Sequence, residues 1–340
     1  MNKQTVPWQR ANTDWFRNAK WGVCLHYLAD FAGQKTESEL TADDWNRRID
    51  AVDVGQMASQ IVGTGAGYCL ITIGQNSGYY LSPNKTYEAC VGHRPSRCSK
   101  RDLVAELADA LNARGVRLMT YLPSSAPSND RRAIEALKCT PPWDPRPLGF
   151  RPDSFSLAQG VDDALSEFQR QWEAVIREYS LRWGTRVSGW WFDGCYCADR
   201  MYRREQEPNF RSFATAAKAG NPGSLVAFNP GVRVPVVSHS EYEDYTAGEV
   251  DSAFPVSMEI NAGYPPLGRY VNGAQYHVLS FLGSFWGKGT PRFSDAFVIG
   301  YTRDCNAHEG VMTWDVPCGR DGLMPSVFRR QLVALEKGVV

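Results

Sequence analysis

The stretch SGWWFDGCY, Ser188 to Tyr196, drives two tryptophans and a phenylalanine into an aspartate and then turns on glycine. Asp-Gly is a common turn pair, but the aromatic run places Asp193 at the end of a buried strand, where a carboxylate is partly desolvated. A second acidic run, EYEDYTAGEVD, holds Glu241, Glu243, Asp244 and Glu249; its plain reading is a solvated loop. Paired with Asp193, one of these acids would complete the two-carboxylate set that glycoside hydrolysis needs. One carboxylate attacks the anomeric carbon; the other protonates the leaving oxygen and then activates water.

Residues so far apart need a scaffold to bring them together. Short apolar, β-rich runs recur at 21–27, 68–74, 117–123, 188–194, 224–230, 275–283 and 310–317, with a less obvious eighth near 242–249. Helix-like segments lie between them. SKRDLVAELADALNARG reads as a helix with a serine N-cap and a glycine stop. GVDDALSEFQRQWEAVIREYSLRWG repeats apolar residues every three or four positions. Strands alternating with helices argue a parallel sheet, and about eight units predict a (β/α)8 TIM-like barrel forming one domain over 1–340. In such a barrel, catalytic groups stand at the C-terminal ends of strands, and His26, Gln75, Asn76, Asp193, Asn229 and Asp315 fall there. Strand alternation puts Trp191 on the same side as Asp193, and Trp190 and Phe192 outward against helices.

Composition narrows the function. Lysine plus arginine equals aspartate plus glutamate at 37 each, so no net field draws in nucleic acid or an acidic membrane surface. No apolar run approaches the length of a membrane span. The nine cysteines show neither CxxC nor metal-ligand spacing and read as reduced thiols, with a Cys90–Cys98 bridge left open. The opening MNKQTVPWQRANTDWF has no apolar signal region, so a cytoplasmic protein is expected, or a periplasmic or secreted one if a leader was removed. GTGAG (63–67) precedes a strand rather than joining a strand to a helix, and reads as a helix end and turn instead of a dinucleotide loop. No metal or organic cofactor is expected.

WFRNAKWGVCLHY, DAVDVGQMASQIVGTGAGYCLITIGQNSGYYL, KRDLVAELADALNARGVRLMTYLPS, GWWFDG and GVMTWDVPCGRDGLMP follow, in order, the pattern of a known enzyme group. The chain resembles the α-L-fucosidases of glycoside hydrolase family 29 along nearly its whole length. The resemblance implies an exo-acting, retaining glycosidase that takes a terminal fucose or a related sugar from an oligosaccharide or glycoside. It matches Asp193 to the nucleophile and His26 to the first substrate-binding histidine. DYTAGE matches the Asp-aromatic-(three residues)-Glu pattern that makes Glu249 the acid/base, with Glu241 and Glu243 as alternatives.

The departures from that pattern bear on the sugar. The family's His-His-Asp is here Gln75-Asn76-Ser77, the tryptophan after the first histidine is Tyr27, and the usual Trp-Glu before the seventh strand is Tyr276-His277. The family's common C-terminal β-sandwich has no counterpart in this sequence. On this reading His26, Gln75, Asn76, His277, Asp315 and Arg233 hold sugar hydroxyls and Trp191 walls the pocket. Two rival readings remain: a carbohydrate-binding protein that kept the pocket without turnover, and an inverting hydrolase on the same barrel.

Overall fold

The seven clear apolar runs all become strands of one parallel sheet, because each is buried on both faces and needs no polar side. The structure, a computed structural model, describes residues 7–30, 40–139, 165–195, 202–252, 254 and 268–339. The strands are β1 (Trp21–Leu25), β2 (Tyr68–Thr72), β3 (Arg117–Pro123), β4 (Val187–Asp193), β5 (Leu225–Phe228), β8 (His277–Phe281) and β9 (Val311–Val316), with a small hairpin of β6 (Tyr270–Val271) and β7 (Ala274–Gln275). Their order in the sheet is β5-β4-β3-β2-β1-β9-β8, all parallel.

The expected closed eight-stranded barrel is therefore corrected to a seven-stranded sheet curled into part of a barrel. The acidic segment 244–250 runs between the two edge strands without becoming a regular strand. It makes isolated parallel bridges to Gln275 of β7 at Tyr245 and to Leu279 of β8 at Glu249, and the Asp244 N–H donates to Val226 O of β5 at 2.8 Å. Gly248 is what allows this approach. It sits at φ +63°, and a Cβ there would lie 1.9 Å from the His277 carbonyl oxygen, a contact only glycine avoids.

Alternation along the strands builds two cores. Trp190, Phe192, Val226 and Phe228 face the outer core with the helices, while Tyr121, Trp191, Leu225, Ala227, Tyr245 and Leu279 fill the interior. Trp190 stacks on Trp183 and Phe192 meets Phe213, so truncating either strand residue would cost about 3–5 kcal/mol. Phe16, on the short helix Asp14–Ala19, packs into the interior core.

The helix Ser166–Trp183 buries Phe168, Trp172, Val175, Ile176, Tyr179 and Trp183, the expected stripe. The helix Leu103–Asn112 starts one turn later than its serine suggested. Asp102 is the cap, accepting from the Ala105 N–H, whereas the Ser99 hydroxyl donates to Arg101 O in the preceding turn. GTGAG is the helix end and turn expected of it: Gly63 caps Val54–Val62, and Gly65 at φ +87° leads into β2. Cys90 and Cys98 are separate thiols, as are all described cysteines, so the bridge left open by the sequence is absent.

Candidate active site

At the C-terminal ends of the strands a cavity of about 320 Å³ opens. It is lined by His26, Gln75, Asn76, Tyr121, Trp191, Asp193, Glu249, Leu279, Phe285 and Trp286. Asp193 is the last residue of β4, and Gly194 at φ +74° turns the chain away immediately. That turn aims the Gly194 N–H at Asp193 Oδ1, 2.7 Å away. The same oxygen accepts from Asn229 Nδ2 at 2.9 Å, and Oδ2 accepts from the Tyr121 hydroxyl. The Tyr121 ring lies flat on Trp191, with centroids 5.3 Å apart and planes 16° apart, and its hydroxyl also accepts from Gln75 Nε2. Trp191 itself is pinned by its indole N–H to Ala247 O at 3.0 Å.

Glu249 reaches the same cavity from the segment beyond Gly248. Its carboxyl is pushed up to about 7, first by burial and then by the Asp193 charge, while the Asn229 hydrogen bond and His26 pull the other way. Asn229 Nδ2 donates to Glu249 Oε2 at 2.5 Å. One amide nitrogen thus touches both carboxyls, so these two oxygens are at most about 5.4 Å apart, the sum of the 2.9 and 2.5 Å bonds.

His26 follows β1 and presents one edge to the cavity. Its Nδ1 donates to Asp315 Oδ1 at 2.6 Å, and Asp315 Oδ2 accepts the Gly287 N–H at 2.6 Å. Burial lowers the His26 pKa; the Asp315 carboxylate, joined by the Asp193 and Glu249 charges, outweighs it, and the net shift is upward. Ligating atoms of Cys24, His26 and Asp315 lie within 4.8 Å of one another. The direct Nδ1–Oδ1 bond leaves no room for an ion between those two atoms, and burial holds the Cys24 thiol well above its ordinary range. This is a histidine oriented by a carboxylate rather than a set of metal ligands.

Three residues expected to hold hydroxyls stand elsewhere. Arg233 is exposed, bonded to its neighbour's carbonyl, and does not line the cavity. His277 faces the barrel interior but begins β8, so it sits at the opposite end of the strand from the cavity. Asp315 is fully buried and acts on His26 rather than lining the cavity. Neither alternative acid competes with Glu249 for a place there. Glu241 is exposed, and Glu243 is buried where it accepts the His239 N–H at 2.6 Å, pushed up to about 8 by desolvation.

Sequence reasoning passed over Tyr121, Phe285 and Trp286. The parity that singled out Trp191 also places Tyr121, its Cα partner across the β3–β4 ladder, on the inner face. Phe285 and Trp286 lie on a loop after β8, where no periodicity marks them.

A partly closed parallel β/α barrel thus carries two carboxyls and a carboxylate-held histidine at its C-terminal mouth. No protein-family model and no curated protein matches the chain. Among solved structures it is similar to an α-L-fucosidase of family 29 from Bacteroides thetaiotaomicron, trapped as a covalent intermediate with 2-fluoro-fucosyl fluoride. The TM-score is 0.61 at 17% identity, over 98% of this chain and 77% of that one. It is also similar to an α-L-fucosidase from Lactobacillus casei in complex with α-L-fucose (0.61, 15%, 96% and 98%). An endo-fucoidan hydrolase of family 107 matches at 0.67 and 16%, over 95% of this chain and 53% of that one. The chain has the fold of fucose-cleaving glycoside hydrolases.

Proposed function

We propose that this protein is an exo-acting, retaining glycoside hydrolase that removes a terminal α-L-fucose or a closely related sugar. The observation that carries the reading is the acid pair: Asp193 and Glu249 oxygens no more than about 5.4 Å apart across one amide nitrogen. A retaining double displacement uses carboxyls about 5–5.5 Å apart, whereas inversion needs about 6.5–9.5 Å to admit a water. The covalent intermediate named for the Bacteroides relative is in keeping with the same route.

In this mechanism Asp193 attacks the anomeric carbon while Glu249, protonated because a dry site and the neighbouring anion raise it to about 7, gives its proton to the leaving oxygen. Glu249 then takes a proton from water, and the resulting hydroxide releases the sugar from Asp193. Trp191 and Tyr121 wall one side of the sugar, His26 donates to a hydroxyl, and the amides of Gln75 and Asn76 bracket others as both donors and acceptors. A cavity of about 320 Å³ sits at the small end of ligand sites, sized for one sugar residue.

The test is a panel of nitrophenyl glycosides covering α-L-fucose, α- and β-galactose, α-L-rhamnose and arabinose. The expected result is hydrolysis of the fucoside or one relative, lost by about three orders of magnitude or more in Asp193→Asn while binding persists. Sugar binding without turnover in the unsubstituted protein would overturn the enzymatic reading and leave a carbohydrate-binding protein.

A further inference from the structure

We propose that Asn229 is the positioning residue of the acid pair, its side-chain amide giving one N–H to each carboxyl and thereby fixing their separation and deciding which oxygen carries the proton. This rests on the glycosidase reading above. Asn229 directly follows β5 and is fully buried. Its backbone is fastened to β4 and the turn after it, its N–H donating to Phe192 O at 2.8 Å and its carbonyl accepting from the Cys195 N–H at 2.9 Å.

The orientation of the amide follows from its partners. Asn229 Oδ1 accepts the Gly231 N–H at 3.0 Å, and only the oxygen of an amide accepts. The nitrogen therefore faces the carboxyls, with one hydrogen for Asp193 Oδ1 and the other for Glu249 Oε2. An oxygen that accepts a short hydrogen bond is a poor place for a proton, so the acid proton of Glu249 belongs on Oε1. A side chain with one donor, or a long mobile one, would satisfy only one carboxyl or leave their spacing loose.

The charged groups facing Glu249 are Asp193 from β4, His26 from the end of β1 and Asp251 from its own segment. The two anions hold its proton on and His26 favours its release. Among the described residues Asn229 is the hydrogen-bond donor to this carboxyl, stabilising its ionised form. Removing that donor leaves the anions less opposed, so the proton is held to higher pH.

Asn229→Ala and Asn229→Leu separate this role from packing, since leucine restores the volume without the N–H groups. Both variants are expected to move the alkaline limb of kcat/KM upward by about one pH unit, with kcat falling about 10–100-fold and KM little changed. If Asn229→Leu recovers the unsubstituted profile and kcat, Asn229 only packs and the proposal is overturned. The second measurement is ¹³C NMR titration of the Glu249 carboxyl in the resting protein and both variants, with thermal melting to confirm folding. An upward shift in the variants supports the proposal, and an unchanged titration overturns it. Absence of hydrolysis on every glycoside would defeat the glycosidase reading alone, because the NMR titration still decides what Asn229 does to Glu249.

Discussion

His26 and His277 are both buried histidines whose rings face the barrel interior, at opposite ends of it, and they behave in opposite ways. His26, at the mouth, donates Nδ1 to the Asp315 carboxylate at 2.6 Å, and that charge, with those of Asp193 and Glu249, raises its pKa despite burial. His277, at the far end, meets neutral groups among the described residues: Nδ1 donates to Thr246 O at 2.9 Å and Nε2 accepts from the Thr313 hydroxyl at 2.7 Å. Against only the backbone hydrogen bonds of Thr246 and Ala247 among the described residues, burial lowers its pKa to about 4 and keeps the ring neutral. A buried histidine is thus no sign of a site by itself. A charged partner and an open side distinguish the one that can meet a substrate from the one that joins strands.

Asp315→Asn makes the sharpest cut between the two ends. Losing one charged hydrogen bond of about 1.5–3 kcal/mol should lower kcat/KM about 10–100-fold while the melting temperature changes little. A loss under about twofold would make the mouth pair as purely structural as the far one. Next in size is the pH dependence. Glu249 must carry its proton to act, so hydrolysis should fall as pH rises through about 7. Glu249→Gln should remove that limb and leave a low residual rate on activated leaving groups. An unchanged limb would assign the acid to another group.

The smallest effect on activity belongs to His277→Phe, where kcat/KM should stay within about twofold and stability should drop by about 1–3 kcal/mol from unpaired neighbours. Because the folded-state pKa of His277 lies below its ordinary 6.5, the unsubstituted protein should lose stability as pH falls from 6.5 through about 4. Urea denaturation at several pH values checks this; the variant should lack that part of the slope.

The strands were readable because a parallel sheet covered on both faces demands continuous apolar runs, as YCLITIG and RLMTYLP show. The side each residue takes was readable too: period-two alternation sends Trp190 and Phe192 outward and Trp191 inward. Depth along the barrel was not. His277 has the right parity for the interior and the wrong end of its strand, and Asp315 is near the mouth yet spends both oxygens on His26 and Gly287. The eighth strand also failed to form, since 244–250 carries Gly248 at a positive φ and bridges its neighbours only at isolated points.

By itself, the sequence determined the alternating β/α plan, the inward face of β4 and the candidacy of Asp193, all of which follow from local periodicity and turn chemistry. Only the tertiary structure decided among Glu241, Glu243 and Glu249, because which acid reaches the cavity depends on how closely the segment around Gly248 packs against β8. The partnership of Asp193, Asn229 and Glu249 was decided there as well. Those residues come from β4, the end of β5 and a loop, and hydrogen bonds across 36 and 20 positions of chain leave no periodic trace in sequence.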